Sequence, residues 1–315
     1  SGSIWKQMTF FAMPIFLGNL FQQLYNTVDS LIVGNFLGSS ALAAVSSSGS
    51  LIFMLIGFLS GISAGAGVIV ARFFGAGDEK NLQRAVHTTV AFGLVAGVLM
   101  TGVGVALSPQ ILRWMDTPES VMRESVTYLQ IYFAGSLGFV MYNVLVGILQ
   151  AVGDSRHPLY YLIVSSVINL VLDLLFITGF HTGVGGAAVA TVISQIVSAL
   201  LCFWQLLRTK ESYGLKIRKI RFDKGILVQI IKIGLPSGVQ NSIIAFANVI
   251  VQSNINAFGE MAMAGYGAYT KVEGFGFLPI NSFTMALTTF VGQNLGAKQE
   301  ERTKKGARFG ILAAV

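Results

Sequence analysis

The sequence predicts an all-helical protein that crosses a lipid bilayer many times. Of 315 residues, 53% are hydrophobic and only 11% are charged, and mean hydropathy is +0.68, well outside ordinary soluble domains. Apolar stretches of about 20 residues or more recur along the chain, each long enough to span a hydrocarbon core of about 30 Å as a helix. Runs such as 159–180 and 183–207 are continuously apolar, without the short alternating segments of a membrane β-barrel.

These runs place helices near 8–36, 44–71, 84–108, 120–150, 158–180, 183–208, 226–257 and 262–294, with a ninth starting near 303. Pro14 in the first and Pro236 in the seventh interrupt the backbone ladder, so Pro14 is a candidate hinge. Gly57, Gly61 and Gly65 recur at i+4, the small-residue spacing that lets helix backbones approach closely in lipid.

Charge sets the orientation. With a cytoplasmic amino terminus, the inside connections carry Arg72, Lys80, Arg84, Arg156, Arg208, the run from Lys210 to Lys224, and Lys298 to Arg308; the outside ones carry Arg113 and Arg123. That asymmetry is the positive-inside pattern of a multi-pass protein of the cytoplasmic (inner) membrane. The net charge of +7 lies between apolar runs rather than on one face, so no nucleic-acid partner is expected. The lone Cys202 lies inside an apolar run, which excludes an internal disulfide. His87, His157 and His181 fall near helix ends without ligand spacing and read as surface residues. The opening Ser1-Gly2-Ser3 lacks an initiator methionine, and the chain stops within an apolar run at Val315, so a longer protein is expected.

The chain also resembles itself. Pro14 echoes Pro236, Gly38 echoes Gly259, Ala41 and Ala43 echo Ala262 and Ala264, Gly75-Ala76 echoes Gly296-Ala297, and Arg84 faces Lys305, at an offset of 221 or 222 residues. Six helices per offset imply two parallel repeats related by an axis along the membrane normal. The expected units are an amino-terminal lobe, 1–215, and the first part of a carboxy-terminal lobe, 216–315, which about 130 further residues would complete.

Only three acids, Asp29, Asp173 and Glu273, fall inside the spans, where an ionised carboxylate costs at least about 2.5 kcal/mol. Asp29 and Asp173 share a depth of some 10 to 14 Å from the outer helix ends, at about 1.5 Å per residue. Asn169 lies one turn before Asp173 on the same face, and Thr191 reaches a similar level. Two carboxylates, an amide and a hydroxyl at one depth suit a proton or sodium ion. Close acids in low dielectric cannot both stay charged without one. Glu273 and Lys271 lie on different faces and read as structural. Asn143 is a polar candidate for a central substrate cavity, with Tyr25 or Tyr142 as aromatic lining.

With these residues in view, the chain resembles the multidrug and toxic compound extrusion (MATE) family. Pro14 followed by Thr27-Val28-Asp29-Ser30 and Val33-Gly34 is similar to the family's first helix. Ala71-Arg72-Phe73-Phe74-Gly75-Ala76 is similar to the end of its second, echoed by Gly292 to Ala297. The resemblance covers the first eight to nine of twelve helices. It implies a V-shaped pair of six-helix bundles, the second incomplete here, exporting drugs, often organic cations, against protons or sodium. The family's DinF-type branch has an amino-terminal acidic site similar to Asp29, Asn169, Asp173 and Thr191, with Asn143 in the adjoining cavity, and Pro14 looks like its first-helix kink. Where NorM-type members carry a seventh-helix glutamate, this chain has Ile244. The resemblance implies a monomer working in the bilayer on small drug-like substrates, with no cofactor beyond the coupling ion.

Two other functions compete with this reading. A flippase for lipid-linked saccharides would also show many helices and a repeat, but anionic cargo favours cavity arginines, and the deep charges here are acidic. An intramembrane aspartyl protease would use the G-x-G-D signature spelled by Gly75 to Asp78. The polar residues that follow place Asp78 at the surface, far in depth from Asp29, whereas paired catalytic aspartates must share a proton.

Overall fold

Helices account for nearly all of the computed structural model, in which residues 2–114, 117, 119–256 and 260–314 are described. They are α1 (Ile4–Leu37), α2 (Ser39–Gly75), α3 (Glu79–Trp114), α4 (Glu119–Ala134), α5 (Ser136–Ala151), α6 (Arg156–Leu174), α7 (Gly183–Arg208), α8 (Lys224–Asn256), α9 (Glu260–Gly296) and α10 (Glu300–Ala314). A π segment, Leu175–Gly179, continues α6. No strand occurs among the described residues. Gly259 and the side chains of Ala43, Ala262, Ala264 and Lys271 lie outside what is described.

Among the described residues, six helices are long and apolar enough to cross a membrane alone, and α4 with α5 makes a seventh, bent by 49°. The sequence predicts one helix over 120–150; the structure breaks it at Gly135. The cause lies across the interface, because a Cβ on Gly135 would overlap the Val192 side chain of α7. Glycine lets α7 press into the bend. α1 is not among the six spans. Asn19, Gln22, Gln23, Asn26 and Asp29 run through its middle and lower its hydropathy, and it packs along α6 and α9. Val98, Leu99 and Val103 on α3 and Leu200 on α7 are exposed, the apolar exterior expected where lipid replaces water.

The largest buried cluster joins α2, α3, α5 and α7 through Val70, Val86, Leu145, Leu149 and Leu206, and takes in Ile226 and Ile230 of α8. Gly61 and Gly65 of α2 face the backbone at Gly238 and Gly234 of α8, so the small-residue stripe serves close packing.

The two halves of the repeat have matching dimensions. α1 and α8 are 34 and 33 residues long, and α2 and α9 are both 37. Asn19 of α1 donates to Ser282 Oγ of α9 at 3.2 Å, and Asn241 of α8 donates to the Gly57 carbonyl of α2 at 3.1 Å. Asn19 and Asn241 are themselves 222 residues apart.

At the basic end of the bundle, Asp78 caps α3 by accepting the Asn81 backbone N–H at 3.1 Å and the Asn81 side-chain amide at 2.7 Å. These bonds hold its carboxyl below the usual aspartate range. Here the structure corrects the reading of His87 as a surface residue, since it is only 3% exposed. Its Nδ1 meets the Gln83 carbonyl at 2.6 Å, and its Nε2 accepts the Lys216 N–H at 3.0 Å. The connector 209–223 folds back over α3 and covers it.

Candidate functional site

Asp29, Asn169, Asp173 and Thr191 come from three helices, α1, α6 and α7, and the structure brings all four together. Asn169 is 1% exposed, Asp173 0% and Thr191 9%. Helical spacing sets Asn169 one turn below Asp173. With its amide oriented to satisfy both neighbours, Asn169 donates to Asp173 Oδ2 at 2.7 Å and accepts the Thr191 N–H at 3.1 Å. The Thr191 hydroxyl donates to the Ala187 carbonyl at 3.0 Å.

The carboxyl groups of Asp29 and Asp173 face each other at hydrogen-bonding range. The Oδ1 atom of each is buried with no hydrogen-bond partner in the protein. A buried acceptor without a donor is costly, so the pair has unclaimed oxygens suited to a proton or a small cation. As oriented, the Asn169 amide turns its N–H to Asp173. Immediately after Asp173 the helix widens into the π segment Leu175–Gly179, an irregularity often found at functional sites.

Two tyrosines stand near this pair, and a third stacks on one of them. The Tyr25 hydroxyl bonds to Thr191 and stands beside Asp29, so the structure sets Tyr25 with the carboxylates rather than with Asn143. Tyr128 stacks on Tyr132 at 6.4 Å, and Tyr128 lies within electrostatic reach of Asp29, Tyr25 and Asp173. Sequence reasoning missed Tyr128 and Tyr132; spaced four apart on α4 they share a face, but nothing in the sequence shows which helix that face meets.

Asn143 lines a separate cavity of about 260 Å³ between α2, α5 and α9, with Ser60, Ser63, Gln150, Thr284 and Thr288. Its amide donates to the Phe139 carbonyl at 2.8 Å. Tyr142, expected beside it, is not among the lining residues and is packed in the main apolar cluster. Adjacent helical positions are turned about 100° apart, so Asn143 and Tyr142 cannot share a face. Pro14 lies inside the continuous helix α1. Ile244 of α8 is half exposed, and Glu273 accepts from the Tyr269 hydroxyl one turn away at 2.9 Å, a local structural pairing. Asp78, at the capped turn before α3, has no part in the acidic pair.

Comparison with known proteins is consistent along the whole chain. The MatE family pattern matches residues 14–175 and 236–315. The probable multidrug resistance protein YoeA of Bacillus subtilis is 34% identical over 316 residues, covering 98% of this chain and 68% of that protein. YpnP of the same organism is 32% identical, covering 96% and 67%. A solved structure described as the outward-facing conformation of a multidrug resistance MATE family transporter superposes with a TM-score of 0.92 at 26% identity, covering 98% of this chain and 69% of that one. A Pyrococcus furiosus transporter of the MOP superfamily, described as having reverse polarity of its binding pocket and a different function, gives 0.91 at 26% identity, with the same two coverages. The chain belongs to the MatE family and is a secondary transporter, not an enzyme.

Proposed function

We propose that this protein is a cation-coupled antiporter that exports drug-like, often cationic, organic compounds from the cytoplasm across the inner membrane, with its amino terminus inside. The observation that carries the proposal is the buried pair of Asp29 and Asp173, each with an oxygen left without a protein partner. A proton and a sodium ion compete for those oxygens. Loading and unloading the pair then changes which arrangement of the helices is favoured, and drug release is linked to ion binding through that shared equilibrium.

The connector divides the chain into lobes at 1–215 and 216–315, and Asn143 marks the substrate route between them. Among the described residues, the Asn143 cavity has no charged lining, and the deep charges of the amino-terminal lobe are the acidic pair. That arrangement suits cationic cargo better than the anionic headgroup of a flippase substrate. The multidrug names of the relatives support drug-like cargo. Pro14, which removes one N–H from the α1 ladder, supplies the hinge on the same helix as Asp29, about four turns away.

The experiment is ethidium efflux from proteoliposomes under an imposed proton or sodium gradient. The proposal expects efflux that depends on one gradient and collapses with it. Gradient-independent movement of the dye, or movement of a lipid-linked sugar in its place, would overturn it.

A further inference from the structure

The connector between α7 and α8 is clipped to α3 along its length. The Gln83 amide donates to the Ser212 carbonyl and, at 3.0 Å, to the Gly214 carbonyl. His87 accepts the Lys216 N–H at 3.0 Å, and the Thr88 hydroxyl accepts the Asp223 N–H at 3.0 Å. Arg84 pairs with Asp223 at 3.6 Å. Residues 83, 84, 87 and 88 form one face of α3. With its backbone held inward, Leu215 sunk into the core and Tyr213 and Ile220 packed against it, the connector turns its basic side chains, Ile217 and Phe222 outward.

Those outward side chains form a mixed basic and apolar surface. Lys216, Arg218, Lys219 and Arg221 are exposed, with Ile217 62% and Phe222 47% exposed between them. From Arg208 to Lys224 there are seven basic residues and two acids, and Arg84 already occupies one of the acids, Asp223. Among the described residues, no ion pair ties the outward cations to a carboxylate. At the end of α7, Arg208 covers the half-exposed Trp204 ring at 4.5 Å, a side chain suited to the headgroup level. Because α7 ends at Arg208 and α8 begins at Lys224, both of them candidate spans, the connector sits at the membrane surface.

Water alone suits this surface poorly. Cations favour phosphate-rich anionic headgroups, and Ile217 and Phe222 favour the acyl boundary just below them. We propose that 216–222 is a docking surface for anionic phospholipid in the leaflet at the basic end of the bundle, held ready by Gln83, His87 and Thr88. The proposal rests on the membrane-spanning reading and is independent of antiport.

The test uses the full chain in bilayer discs, with Phe222→Cys carrying a polarity-sensitive apolar fluorophore; the native Cys202 is buried. Discs of phosphatidylcholine are compared with discs in which a third of the lipid is phosphatidylglycerol. The expected result is a blue-shifted emission and roughly twofold stronger quenching by a lipid-borne quencher only with phosphatidylglycerol, weakened by high salt. The shift is expected to vanish in R218Q/K219Q/R221Q and to fall in graded steps in the single R218Q and R221Q variants, which guards against a triple variant that fails to fold. Equal emission in the two bilayers, a shift that survives in all the glutamine variants, or the same shift produced by inorganic phosphate in phosphatidylcholine discs would overturn the proposal.

Discussion

Gly75 and Gly296 meet each other's helices reciprocally: a Cβ on Gly75 would overlap the Gln293 carbonyl, and a Cβ on Gly296 would overlap the Arg72 carbonyl. The two glycines are 221 residues apart, and so are Arg72 and Gln293, so the contact maps onto itself under the repeat. Gln293 adds a bond to the Ala151 carbonyl at 2.8 Å. The basic ends of α2 and α9 are therefore shut against each other by backbone contact.

Gly75→Ala and Gly296→Ala should each force this crossing apart, at about 1–3 kcal/mol for overpacking. Gly102→Ala should be nearly silent, because nothing lies near its Cβ position. Thermal unfolding in detergent measures the difference. Labelling of an engineered cysteine at Ala297 by an impermeant thiol reagent should rise in the first two variants only.

The paired amides Asn19 and Asn241 should behave alike. Removing either by Asn→Ala should cost about 0.5–1.5 kcal/mol, the net worth of one hydrogen bond. The double variant should be close to additive, because the two bonds share no partner. Superposing α1–α2 on α8–α9 should give a rotation about the membrane normal that lays Asn19 on Asn241. An inverted relation would contradict the repeat.

Asp78 gives a pH prediction at the α2–α3 turn. Because the folded protein holds its carboxyl below the usual range, its capping contribution is fully present above about pH 4. It is lost as pH falls through the lowered value. A spin label at Glu79→Cys should become more mobile on acidification, and the added Asp78→Ala change should remove that pH dependence.

His87→Ala should loosen the connector and cost about 1–3 kcal/mol, since it leaves the Lys216 N–H without its acceptor. Amide exchange over 212–223 should quicken, while exchange in α6 should be unchanged.

Much of the fold is legible in the sequence because lipid imposes a simple rule, that a span must be about 20 apolar residues with its polar groups explained. The same rule singles out Asp29 and Asp173, because two costly acids at a shared depth need a common reason. Asn169 and Thr191 follow from helical spacing and depth. What is not legible depends on contacts between distant segments. The bend at Gly135 exists because Val192 fills the space, and His87 is buried because the connector returns to cover it. The structure sets Tyr25 beside Asp29 and Tyr142 in the main apolar cluster rather than with Asn143, because depth along a helix says nothing of which neighbour its face meets. The asparagines 222 apart are within reach of the repeat offset alone.

The central claim is that Asp29 and Asp173 form one ion-coupling unit, and the most direct measurement is gradient-driven ethidium efflux in proteoliposomes by Asp29→Asn and Asp173→Asn. The amide keeps the shape and removes the charge, so each variant should retain its thermal stability and elution profile. The account predicts that each alone abolishes gradient-driven efflux and that the double variant is no worse than either single one, as expected for residues acting as a unit. Wild-type efflux by both single variants would contradict it.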